Sequence, residues 1–135
     1  MKVSVIICTY GKDREPELQR VLKDLERQTY EDFETVIIRN ISPVGKARNQ
    51  GIREAEGEII IFFDDDVRIP DIETVEKLIR GLKKYKDNIV GGSHIIPSDA
   101  NRFQRMVAKE VRREEVPISE TDRFSDLVGT ACWAF

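Results

Sequence analysis

The stretch IIIFFDDDVRIP, residues 59–70, runs an apolar strand directly into three consecutive carboxylates. In an extended backbone Asp64 and Asp66 point to the same side, about 6 to 7 Å apart. At an effective dielectric near 20 their repulsion is about 2 to 3 kcal/mol, so something must offset it. Hard divalent cations do so: magnesium or manganese is held by one or two carboxylates while a substrate's phosphates supply further ligands. An Asp-x-Asp turn at a strand's carboxyl end offers that donor set, with Asp66 placed to bridge the cation to a diphosphate. The competing reading is a solvated turn whose aspartates cap a following helix. The strand immediately before the turn, and the alternation around it, favour the cation.

Working outward, Val3 to Thr9 is a largely apolar, β-branched-rich run that suits a strand covered on both faces, as in a parallel sheet. After the polar turn TYGKDREP, residues Leu18, Val21, Leu22 and Leu25 recur at helical spacing and predict a helix from Pro16 to Gln28. A second strand is expected at Phe33 to Ile38, then the Ser42-Pro43 turn, a helix from Gly45 to Ala55 stopping at Gly57, and a third strand from Glu58 to Phe63. Beyond Pro70, Ile72, Val75, Leu78, Ile79 and Leu82 mark a third amphipathic helix. Asn88 to Ile96 reads as a fourth strand, with the pair Gly91-Gly92 permitting a close approach.

This order predicts an α/β domain, a Rossmann-like, mostly parallel sheet flanked by helices, whose ligands sit beyond the carboxyl ends of the strands. Residues 1–135 form one domain, with an α/β core over 1–96. In 97–135, Phe103, Met106, Val107 and Val111 mark one more helix, and Glu115 to Asp126 an irregular loop. The chain closes on the apolar, strand-like LVGTACWAF with no turn or polar tail, the mark of a piece of a longer protein.

A chain of 135 residues, 40% hydrophobic, supports a real core. Its net charge of -3 comes from mixed acidic and basic residues, which implies neither a basic face for nucleic acid nor a polybasic tail for lipid. The opening VSVIICTY is too short for a transmembrane segment and meets Lys12 and Asp13 rather than a small-residue cleavage site. Cys8 and Cys132 lie in apolar stretches and read as buried free thiols rather than a disulfide or metal ligands, which fits a reducing, cytoplasmic compartment.

Other residues gather at the same sheet edge. Thr9 and Tyr10 end the first strand, where a hydroxyl and a ring can meet a base or ribose. Lys46, Arg48 and Asn49 occupy the start of the second helix, where dipole and cations favour an anion. His94, the sole histidine, reads as structural, and Trp133 as core rather than a sugar-stacking platform.

With these residues assembled, the sequence resembles the family 2 glycosyltransferases, enzymes of the GT-A fold. The resemblance runs through VSVIICTYGKD (3–13), LERQTYEDFETVII (25–38) and GKARNQGIREAEGEIIIFFDDDVRIPD (45–71), with a weaker echo in VGTACWAF (128–135). It implies a donor site for a nucleotide-diphosphate sugar. Thr9 and Tyr10 would lie near the nucleoside, Arg48 and Asn49 near base or phosphate, and Asp64 near the ribose or sugar, with Asp65 also among the residues that bind the nucleotide sugar. Asp66, with Asp64, would hold Mg2+ or Mn2+. The implied reaction is an inverting, single-displacement transfer to an acceptor, whether glycan, lipid-linked sugar or protein, with a carboxylate base taking the acceptor's proton. The implied location is the cytoplasm or the cytoplasmic face of a membrane.

Two departures qualify the resemblance. Where the family places a DDGS-like turn after the second strand, this chain has Arg39, Asn40, Ile41 and Ser42. Asn40 offers its amide to a base edge, Arg39 is left between phosphate and solvent, and a uracil preference does not carry over. The family's ED-type base motif, downstream of the strand that VGTACWAF resembles, is absent. None of Glu114, Glu115, Glu120, Asp122 and Asp126 matches it. The main alternative is therefore a truncated or non-catalytic nucleotide-binding domain lacking the general base. A haloacid-dehalogenase-like phosphatase fits less well, because its motif ends the first strand and two βα units precede Asp64. A sugar nucleotidyltransferase carries a glycine-rich, Arg-containing loop after its first strand, and CTYGKDREP has only Gly11.

Overall fold

The apolar run that opens the chain becomes the hub of a five-stranded sheet. The structure, a computed structural model, describes residues 2–85, 89–92, 96, 98–110 and 132–135, with backbone only for 108–110. Strand β1 (Val3–Thr9) pairs in parallel with β2 (Phe33–Arg39) on one side and β3 (Ile59–Asp64) on the other. Helix α1 (Glu15–Glu26), entered through a 3-10 turn at Lys12–Arg14, joins β1 to β2, and α2 (Val44–Glu54) carries the chain back across to β3. After α3 (Thr74–Lys84) come the two-residue strand β4 (Val90–Gly91), α4 (Arg102–Glu110) and β5 (Cys132–Ala134). The strand order is β2-β1-β3-β5-β4, with β5 antiparallel to both neighbours.

The lack of polar alternation in β1 has a direct cause: both its faces are covered. Val3, Val5 and Ile7 pack with Leu18, Val21 and Leu25 of α1 and with Val75, Leu78 and Ile79 of α3. Ile6 turns to the other face, against Ile38, Ala47 of α2, Ile60 and Phe62. Burying each large aliphatic side chain of this kind contributes about 1.5–3 kcal/mol, so the two layers fix where the carboxyl ends of β1 and β3 lie. Helix α2 can approach closely because of Gly51: a Cβ there would stand 2.4 Å from Cγ2 of Ile6.

Mixed α/β architecture and the first three βα units match the sequence reading, with element ends displaced by one or two residues. Three details differ. The strand expected over 88–96 is described only as Val90–Gly91, its residues 88 and 93–95 lying outside the described residues. The closing apolar run supplies Cys132–Ala134 as an internal strand between β3 and β4, where Ala134 is fully buried. The extended backbone assumed through Asp66 ends at Asp64, because residues 65 and 66 form a turn. Helix α4 forms as expected, with Phe103, Met106 and Val107 exposed. Among the described residues no helix is long and apolar enough to cross a membrane. Both cysteines are free and half-buried. His94, Val111 and the acidic candidates between 114 and 126 lie outside the described residues.

Candidate active site

The connections leave β1 toward β2 but leave β3 away from it, so a crevice opens at the carboxyl ends of β1 and β3, the place where open α/β sheets take their ligands. Register puts specific residues there: Thr9 pairs with Arg39 and Cys8 with Asp64. The polar ends of all three parallel strands therefore share one edge.

The acidic triplet is divided between the two faces of the sheet. Asp64, still in β3, follows Ile60 and Phe62 toward α2, where Arg48 Nη2 donates to its Oδ1 at 3.4 Å. Arg48 also lies over the Phe62 ring, 5.8 Å from its centroid. Asp65 turns to the α1 side and is buried, and Arg14 grips it with Nε to Oδ2 at 3.3 Å and Nη2 to Oδ1 at 2.7 Å. The same Nη2 donates to Asp66 Oδ2 at 2.9 Å. Asp66 thus shares Arg14 with Asp65 instead of projecting alongside Asp64, because the backbone turns between them.

These environments push the carboxyls in opposite directions. Burial raises the Asp64 carboxyl above the ordinary aspartate range; Arg48 opposes this, and the charges of Asp66 and Asp65 add to it. Burial also acts upward on Asp65, but Arg14 brings it below the ordinary range. The Arg14 guanidinium is raised by its hydrogen bonds to Asp65 and Asp66.

Two open cavities lie at the carboxyl end of β1, one of them against the acidic turn. One of about 300 Å³ is lined by Thr9, Gly11, Lys12, Glu15, Arg39 and Asn40. The other, of about 230 Å³, lies between Tyr10, Arg14 and Asp65 on one side and Ile41, Ser42 and Val44 on the other. Thr9 lines both, and Asn40, in the wall of the first, takes a left-handed backbone (φ 57°) that Asn tolerates. Its N–H donates to Thr9 O and its Oδ1 accepts from the Gly11 N–H at 3.1 Å. Gly11 itself has φ 92°, and a Cβ there would meet Asp13 Oδ1 at 2.5 Å. Arg39 is held by Glu15, Nη1 to Oε2 at 2.7 Å, which brings the Glu15 carboxyl below its usual range.

The structure brings Thr9, Tyr10, Asn40, Arg48, Asp64, Asp65 and Asp66 to one edge. Asn49 is exposed on α2 beside Arg48, and no contact ties it to the acidic turn. Trp133 is half-buried and stacks on Phe62, with ring centroids 4.7 Å apart. Its Nε1 is buried without a hydrogen-bond partner among the described residues. Sequence reasoning missed Arg14. The available signal was electrostatic: three carboxylates end one strand, and the turn after the neighbouring parallel strand carries Lys12 and Arg14.

Among the described residues no three His, Cys, Asp or Glu side chains converge as a metal cluster. The donor set does fit a hard cation held by one or two carboxylates plus oxygens of a ligand. The Asp66 side chain is 52% exposed, with only its Oδ2 engaged by Arg14, and the Asp64–Arg48 contact is long.

Residues 43–134 match the profile described as "Glycosyl transferase family 2". The chain is 22% identical over 123 residues to the glucosyl-dolichyl phosphate glucuronosyltransferase of Haloferax volcanii, covering 72% of this chain and 39% of that protein. It is 31% identical over 90 residues to the uncharacterized glycosyltransferase YwdF of Bacillus subtilis, covering 49% of this chain and 33% of that one. The chain thus spans well under half the length of these curated relatives. In fold it is similar to the crystal structure of S. aureus TarS 1–349 in complex with UDP-GlcNAc, with TM-score 0.58 and 21% identity, covering 75% of this chain and 37% of that one. The likeness to a second TarS crystal structure has TM-score 0.59 and 21% identity, covering 75% and 23%.

Proposed function

The chain belongs to glycosyl transferase family 2, and from that membership we propose that it binds a nucleotide-diphosphate sugar and serves the transfer of its sugar to an acceptor. The observation that carries this reading is a cavity of about 230 Å³ lined by Cys8, Thr9 and Asp65 at the crevice between β1 and β3, with a second of about 300 Å³ that shares Thr9 with it. The TarS structure holding UDP-GlcNAc and the glucuronosyltransferase relative support a sugar-nucleotide donor.

In this reading the nucleoside occupies the larger cavity, against Thr9 and the Asn40 amide, and the Tyr10 ring, 64% exposed, lines the smaller cavity next to it. The first turn of α2 has no side-chain cap at Pro43, so its N–H groups and dipole favour the diphosphate. Arg48, half-buried on the same helix, adds a charge-assisted donor. Asp66, with Asp64, is the proposed holder of Mg2+ or Mn2+, which when bound would offset the charge of the departing diphosphate. Asp65, locked onto Arg14, keeps the turn in shape. Transfer proceeds with inversion, and the base that takes the acceptor's proton is not assigned to a described residue. The free thiols support a cytoplasmic location, in solution or at the membrane face.

Nucleoside diphosphates and their sugars, tested with manganese, should raise the midpoint of thermal unfolding, and chelation should remove the gain. Donor hydrolysis then separates an enzyme from a domain that binds without turnover. The second reading is favoured by the position of Asn40 Oδ1, which is committed to Gly11 where the family presents an acidic turn.

A further inference from the structure

We propose that Arg14 is the internal counter-ion of the acidic turn, and that through it a divalent cation and a nucleoside diphosphate bind together rather than the cation binding alone. This rests on the donor-site reading above and concerns the energetics of that site.

Three carboxylates end β3, and two guanidiniums already answer them. Arg48 takes Asp64 at 3.4 Å, while Arg14 takes both oxygens of Asp65 and one of Asp66. A cation approaching Asp66 therefore meets a largely neutralised turn, with a fixed positive charge hydrogen-bonded to the very carboxylate it needs. Like charges at such range repel strongly in a partly desolvated site. Asp65 cannot yield its share of Arg14 cheaply, since it is buried and held by two bonds. Asp66 can, because it is half exposed and held by one. A diphosphate changes the balance by bringing its own negative charge, which attracts both the cation and the arginines. The expected result is positive coupling between the two ligands, reciprocal in either order of addition.

Arg14 is accordingly a positioning residue, acting through Asp66. The test follows free Mn2+ by electron paramagnetic resonance as it is titrated into the full chain, alone and with UDP or GDP. The wild-type chain should bind Mn2+ alone weakly and at least about tenfold more tightly with a diphosphate. Arg14→Gln should bind Mn2+ alone about tenfold more tightly than wild type, with most of the coupling lost. Arg14→Lys, which keeps the charge, should stay close to wild type.

Mn2+ affinity that is equal with and without diphosphate in the wild-type chain overturns the proposal without any variant. So does an Arg14→Gln chain that binds Mn2+ alone no better than wild type. If the wild-type chain binds no nucleoside diphosphate even with Mn2+, the donor-site reading falls and takes this one with it. Diphosphate binding without coupling removes only the role given to Arg14.

Discussion

Arg14 and Asp65, 51 residues apart in sequence, join the end of β1 to the end of β3: the guanidinium donates to both oxygens of a side chain that is only 10% exposed. The pair ties the two parallel strands at the edge where the ligand would sit. Removing one partner of a buried pair costs several kcal/mol, while an exposed pair contributes little. Arg14 is partly exposed, so Asp65→Ala should destabilise the chain by about 1–2 kcal/mol, read from urea unfolding. Because Asp65 titrates below its unfolded value, its contribution is fully present above pH about 4 and is lost as pH falls through its own depressed value. The variant should therefore lose less stability than wild type on acidification.

Asp64 should behave in the opposite way. Its carboxyl is raised, chiefly by burial, so ionisation works against the fold: stability is greatest below the unfolded value and declines as pH rises through the folded one. Asp64→Asn should raise the thermal midpoint at pH 7 while weakening nucleotide binding, a trade of stability for function. A fall in the midpoint at pH 7 would contradict the assignment of burial as the dominant effect.

Gly51 sets the spacing of α2 from the sheet, with Ile6 Cγ2 where a Cβ would be and Ile38 Cγ1 at 3.4 Å. Gly51→Ala forces Ile6 to move and should cost about 1–3 kcal/mol, despite the better helix propensity of alanine. A chain of unchanged or increased stability in urea would show that α2 is not seated on that contact.

Cys132 lies between β3 and β4, where burial pushes its thiol up to about 12, opposed only by the Gly92 N–H. Since the thiolate is the reactive form, iodoacetamide at pH 8 should leave Cys132 unlabelled in the folded chain and label it on unfolding. Rapid labelling in the folded chain, located by mass spectrometry, would remove β5 from the interior of the sheet.

Much of this was legible in sequence because it depends on local patterns. The largely apolar run of Val3–Thr9 announced a strand covered on both faces, and β1 is covered on both. Helical spacing of Leu18, Val21 and Leu25 gave α1 and its buried face. Non-local features were less legible. The insertion of β5 between β3 and β4 depends on pairing Phe62 with Trp133, 71 residues later, which no local period encodes. Arg14 looked like one more charge in a polar turn, and only the parallel register of β1 and β3 brings it to Asp65. The two-residue alternation assigned to Asp64 and Asp66 failed because a strand's period stops where the strand does, and the Asp65–Asp66 turn lies past that point.

Calorimetric titration of UDP and GDP into the chain, with Mn2+ or with chelator, measures whether this edge takes a nucleoside diphosphate together with a divalent cation. Binding is expected with Mn2+ and abolished by chelator and by Asp66→Ala, a variant whose unfolding free energy should stay within about 0.5 kcal/mol of wild type. Absence of binding for both nucleotides with Mn2+, or undiminished Mn2+-dependent binding in Asp66→Ala, would contradict it.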